Sequence, residues 1–195
     1  MFATTQNETV FNLLKELGLH VDQLKGNLKL LSDAESRYLK DLKINVSNAL
    51  NSEDLSRKEA YLIGIAVAAN EDNAILQNAF ESLAQENEAS LQEIAEAVAC
   101  TSLLNANNIF YRFRHFTKKE FYQTTPAGIK MSIMANPVLG KEFFELLSLV
   151  ISALNGCELC VTSHEEALVR EGTPPQRILA AVRLGAVLKS LSVLL

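Results

Sequence analysis

Two thiols three residues apart, followed by a histidine, form the most reactive grouping in the chain: Asn155-Gly156-Cys157-Glu158-Leu159-Cys160, then His164. The motif follows a long apolar segment and reads as a helix start. Unpaired backbone N–H groups and the positive dipole end there favour thiolate over thiol. Positions three apart lie on one helical face, so the two sulfurs can close a disulfide after one is oxidised. His164 is four residues beyond Cys160 and seven beyond Cys157, which turns its imidazole toward the thiols as a general base. Glu145 sits earlier among Phe144, Leu147, Leu149 and Val150. A carboxylate in such company needs a partner, and orienting His164 is one candidate.

This set fits a two-step reduction in which a thiolate attacks a hydroperoxide and the resulting sulfenic acid condenses with the second thiol. An outside reductant must then reopen the disulfide. Spacing alone does not say which cysteine attacks. Cys160, one turn from His164, is better placed for deprotonation and is assigned as peroxidatic. Cys157, at the very start of the helix and expected to be more open to an incoming dithiol, is assigned as resolving. A zinc site is the main competing use of a Cys-x-x-Cys pair, but no second pair completes a tetrahedral set, and no metal is expected. Haem attachment needs histidine where Val161 stands, and a thioredoxin-type site needs strand and helix in alternation. Cys100, in the apolar run AVACTSLL, reads as a packed core residue. His20 and His115 have no ionisable company that suggests a site.

The elements that must position this motif are helices. Val10, Leu13, Leu14 and Leu17 fall on one stripe, and Leu39, Leu42, Val46 and Ala49 on another, with the spacing of amphipathic helices. Strand-like alternation is nearly absent, so the expected class is all-α. Helices are expected at about 6–18, 34–50, 55–69, 72–86, 90–109, 138–154, 157–171 and 175–193. Ser32 with Glu35 resembles a capping box, Gly172 a helix end, and Thr173-Pro174-Pro175-Gln176 a cap with proline in the first turn. The stretch 115–137 is expected to be the main irregular connection, packed against the helices by its aromatics.

At 195 residues, 48% hydrophobic, the chain can bury a core. A net charge of −5 gives no sign of a nucleic-acid surface. The N-terminal segment lacks the features of a signal peptide, and no run approaches the roughly 18 apolar residues of a membrane span. With three cysteines in a close pair plus one, a cytoplasmic protein with a redox pair is expected.

A repeat is also visible. Residues 65–86 lie over 150–171 at an offset of 85, with Asn70 on Asn155 and Asp72, Ile75 and Ala79 on Cys157, Cys160 and His164. The expected organisation is an N-terminal half, 1–115, without the motif, and a C-terminal half, 116–195, that carries it.

NNIFYRFRHF (107–116), KMSIMANP (130–137) and FELLSLVISALNGCELCVTSHE (144–165) resemble the alkylhydroperoxidase D proteins of the carboxymuconolactone decarboxylase-like superfamily. The resemblance implies an all-helical fold of two related halves and a trimeric or similar homo-oligomer. It implies lipoyl-dependent hydroperoxide reduction with a relay from Glu145 through His164 to Cys160. No tightly bound cofactor is implied; the reductant would be dihydrolipoamide on a 2-oxo acid dehydrogenase component, and a partner peroxiredoxin would be re-reduced. Better-known members carry a second histidine between the cysteines, where this chain has Leu159. Two other uses remain open: a disulfide reductase that recycles the peroxiredoxin without attacking peroxide, and a non-redox module that holds zinc. Decarboxylase activity fits poorly, because its chemistry needs no activated dithiol.

Overall fold

The computed structural model describes residues 5–195, and every regular element among them is helical. Ten α-helices run α1 (Thr5–Glu16), α2 (Gly26–Asp33), α3 (Tyr38–Leu50), α4 (Arg57–Asn70), α5 (Ala74–Glu86), α6 (Leu91–Thr117), α7 (Glu120–Thr124), α8 (Lys141–Leu154), α9 (Glu158–Arg170) and α10 (Pro175–Ser192), with short 3-10 turns at Val21–Gln23 and Ser132–Ala135. The first residues of the segment tested above for a leader, 1–4, lie outside the described residues. No helix among those described is long and apolar enough to cross a membrane.

The two apolar stripes are buried as their spacing requires. The core is centred on α4 and α8, whose Leu62, Ile63, Ile65, Phe144, Leu146 and Leu147 are almost wholly removed from water. Each such side chain contributes about 1.5–3 kcal/mol relative to exposure. Burial on nearly all sides explains why α4 reads as an apolar run rather than as a stripe.

Several local expectations fail for identifiable reasons. Ser32 lies inside α2, a helix the sequence reading missed, and Glu35 takes a left-handed φ of 51° in the turn that follows. The pair therefore forms no capping box, and α3 begins only at Tyr38. Capping boxes form instead at Ser56 with Glu59 and at Ser90 with Glu93. Pro175 does occupy the first turn of α10, but Thr173 does not cap it, because its hydroxyl donates to Glu142 at 3.0 Å. Gly172 ends α9 as expected, with φ 82°. Helix α6 runs on to Thr117, past the expected end at 109, and the connection after it holds α7 and a 3-10 turn. Tyr122 packs on Phe113, while Phe116 and Phe121 stay exposed.

Two related halves compose the molecule in a single register, one residue shorter than the offset of 85 read for residues 65–86. The starts of α4 and α8, of α5 and α9, and of α6 and α10 are each 84 residues apart. Packing follows the same relation, since α10 lies on α4 as α6 lies on α8. Even a partly buried ion pair recurs with its charges exchanged: Lys58–Glu93 at 2.8 Å in one half, Glu142–Arg177 at 3.0 Å in the other.

Candidate active site

Helices α8 and α9 form a hairpin whose turn is Asn155-Gly156-Cys157. Gly156 adopts φ 67°, a conformation that costs a side-chain-bearing residue about 1 kcal/mol or more, and the Cys157 amide closes the turn by donating to the Ser152 carbonyl at 3.1 Å. Asparagines from other helices hold this turn in place. Asn105 donates to Asn70, Asn70 to Asn155, Asn155 to Asn108, and Asn108 to Ser152, all at 2.9–3.1 Å. Arg112 adds a bond to the Asn155 carbonyl. Each amide in this partly buried chain bonds to the next, which fixes the start of α9 relative to α4 and α6.

Cys157 is the residue that caps α9, and Cys160 lies in its first turn. Their sulfurs are joined at 2.08 Å. His164 follows one turn later, and its Nδ1 meets Glu145 Oε2 from α8 at 2.6 Å. A carboxylate can only accept, so Nδ1 carries the proton and Nε2 is left as the basic nitrogen. His164 and Glu145 are both largely buried, with side chains 11% and 15% exposed. Low access to water strengthens the bond between them.

A cavity of about 410 Å³ opens over this motif. Cys160, Ser163 and His164 form its polar wall; Leu104, Tyr111, Met131, Met134 and Leu159 supply an apolar one. Asn107 also faces it, donating to the Met131 sulfur at 3.2 Å. Cys157 does not reach the cavity and is fully buried, whereas Cys160 keeps 7% exposure. The expectation that Cys157 is the more open sulfur is therefore reversed in this oxidised state, because its side chain turns inward from the cap position.

All four residues singled out in the sequence, Glu145, Cys157, Cys160 and His164, come together. Cys100 does not join them. It is buried against Ser148 at 3.5 Å, and burial pushes its thiol up to about 12. His115 has ionisable company after all, Glu158 at 3.5 Å, at the first residue of α9. Among the described residues no three of His, Cys, Asp and Glu converge as a metal-ligand set. Sequence reasoning missed the asparagine chain and the methionines of the cavity. The spacing of Asn105, Asn108 and Arg112 along one face of α6 was the available signal.

The Carboxymuconolactone decarboxylase family model matches residues 122–192. Similarity to whole relatives extends over most of the chain. The chain is 37% identical over 170 residues to the alkyl hydroperoxide reductase AhpD of Coxiella burnetii (strain RSA 493 / Nine Mile phase I), covering 85% of this chain and 94% of that one. This chain belongs to the AhpD family. AhpD proteins of Bradyrhizobium sp. (strain ORS 278) and Maricaulis maris (strain MCS10) are each 34% identical, over 86% and 91% of this chain and 92% and 98% of theirs. The hairpin with its cysteines, histidine and glutamate lies wholly inside the family-model match.

Proposed function

We propose that this AhpD-family chain is an alkyl hydroperoxide reductase in which Cys160 attacks peroxide, Cys157 resolves the product, His164 is the general base and Glu145 orients it. The observation that carries this reading is the convergence of Cys160 and His164 on one apolar-walled cavity, with Glu145 held on the far nitrogen of His164. His164 takes the Cys160 proton, and the thiolate sulfur bonds to the distal peroxide oxygen as the O–O bond breaks. The leaving alkoxide recovers that proton and departs as an alcohol. Cys157 then attacks the sulfur of the sulfenic acid, water leaves, and the disulfide closes. Leu104, Met131 and Met134 suit an organic hydroperoxide with an apolar tail.

The reductant in this reading is a dithiol of the dihydrolipoamide class, carried on a lipoyl-bearing 2-oxo acid dehydrogenase component. A peroxiredoxin partner and a cytoplasmic location belong to the same reading. The division at 1–115 and 116–195 is kept as a proposal; its boundary falls in the last turn of α6. Ile109, Phe113, Phe116 and Phe121 are exposed on and just after α6, an apolar surface that supports assembly with further copies, a trimer in this reading.

A thiol count tests the chemistry. One equivalent of an organic hydroperoxide, added to reduced protein, should remove two of the three thiols and leave Cys100 titratable only after unfolding. Cys160→Ser should abolish peroxide consumption. Full activity in that variant rules out the assignment. Peroxide consumption that requires added peroxiredoxin, with none by the chain alone, favours the disulfide-reductase reading instead.

A further inference from the structure

Cys157 and Asn73 hold the same place in the two halves. Each caps the second helix of its hairpin, with φ −96° and ψ 90° at Cys157 and φ −102° and ψ 87° at Asn73. Each follows a residue of positive φ, Gly156 at 67° and Asp72 at 53°. Each donates its own amide to the carbonyl five residues back, Ser152 or Ala68. Asn73 makes use of the position: its side-chain oxygen accepts from the Leu76 amide at 3.0 Å. The residue that corresponds to Leu76 is Cys160. The start of α9 thus presents the Cys160 amide to an acceptor carried by residue 157, and in the oxidised protein the only side-chain atom able to fill that role is tied up in the disulfide.

Exposure adds an independent constraint. Cys160 faces the cavity, and Cys157 is fully buried beneath it. A reductant entering by the cavity meets the Cys160 sulfur first.

We propose that the incoming dithiol attacks Cys160 Sγ and expels Cys157 as a thiolate that is received by the backbone amides at the start of α9. The inference rests on the redox reading of the pair given above. In the first step a bond forms between the reductant sulfur and Cys160 Sγ. The Cys157–Cys160 bond breaks, and its electron pair goes to Cys157 Sγ. The second thiolate of the reductant then attacks the reductant's own sulfur in the mixed disulfide and releases Cys160. The dithiol loses two electrons and closes to a disulfide, and its two protons end on the two cysteines. A thiolate stabilised by hydrogen bonds leaves faster, which sets the direction of attack. Leu159 offers no proton to the departing sulfur, and the amides make one unnecessary. Both peroxide and reductant are thereby handled by Cys160, and Cys157 is reached from solution only once the disulfide has opened.

Trapping distinguishes the two sulfurs in the unaltered chain. The disulfide is closed with diamide, so no peroxide turnover is needed, and 2-mercaptoethanol is then added with iodoacetamide present to alkylate the leaving thiolate as it forms. Peptide mapping should find mercaptoethanol on Cys160 and carbamidomethyl on Cys157, by about ten to one over the reverse. The reverse pattern, or an even split, overturns the proposal and leaves the redox reading standing. Failure of diamide to close the pair removes the redox reading and the proposal together. In a folded Cys160→Ser variant, alkylation of Cys157 should titrate about one pH unit or more below the same thiol in the urea-unfolded chain. Equal midpoints overturn the role given to the amides.

Discussion

The two nitrogens of His164 differ in their surroundings, and the base role proposed above falls to Nε2, the one not bonded to Glu145. Glu145 fixes Nδ1 at 2.6 Å, so loss of the carboxylate charge leaves the imidazole in place with weaker control of its tautomer and orientation. Glu145→Gln is expected to slow single-turnover hydroperoxide consumption by reduced protein about tenfold, and His164→Gln by about 10²-fold, the range of a general base. The single-turnover format excludes the reductant, so an unchanged rate in His164→Gln would remove the base from the mechanism. The spacing of Cys160 and His164 was legible in the sequence because helical geometry converts it into a shared face, whereas Glu145, on the helix before, stood out only as a carboxylate among apolar neighbours. The depth of Cys157 was not legible. Its cap position was read correctly from the helix start, but its burial depends on the turn meeting residues distant in sequence, such as Asn70 of α4 and Asn108 of α6.

Helix boundaries illustrate the same limit one level up. Amphipathic stripes identified α1 and α3, because burial of one face is written in the spacing of apolar residues, while α6 was placed at its start but cut short of Thr117. They failed at α2, whose only buried members are Leu28 and Ser32, too few to make a stripe. The hairpin of α4 and α5 shows how tightly such elements meet. A Cβ added at Gly64 would lie 2.7–2.9 Å from three ring atoms of Phe80, itself fully buried. Gly64→Ala gains about 1 kcal/mol of helix propensity, but overpacking a rigid ring costs about 1–3 kcal/mol, and here toward the upper end. A net loss of about 1–2 kcal/mol is expected in urea unfolding, and an unchanged or raised midpoint would mean that the α4–α5 crossing is looser than these distances. In the other half the position of Phe80 is taken by His164 and that of Tyr61 by Glu145. The ring contact of Tyr61 with Phe80, 6.3 Å between centroids, therefore stands where the second half has its hydrogen-bonded pair. One hairpin packs two rings at the places where its twin holds a hydrogen-bonded carboxylate and imidazole.

On the scale of the whole molecule, the halves are joined by charge as well as by core. Arg177 of α10 bonds Glu142 of α8 through Nε and Nη2 at 3.0 and 3.1 Å, and Glu59 of α4 through both Nη atoms at 2.6 and 3.2 Å. Three helix N-termini thus share one guanidinium. Burial raises the Glu59 carboxyl, but bonds from Arg177 and Ser56 outweigh it and hold the group below its ordinary value of 4.5. A carboxylate with a lowered folded value contributes stability that is complete above 4.5 and is lost as pH falls through the folded value, because only the unfolded chain takes up the proton readily at first. Arg177→Met removes the main partner and should cost about 1–3 kcal/mol at neutral pH, less than for a fully buried pair since each group keeps some contact with water. It should also flatten the acid limb. Wild-type melting temperature is expected to fall more steeply between pH 5 and pH 3, a window around the ordinary carboxylate value, than that of Arg177→Met, so the two curves converge toward low pH. Parallel curves across that range would show that Arg177 joins the halves by packing alone.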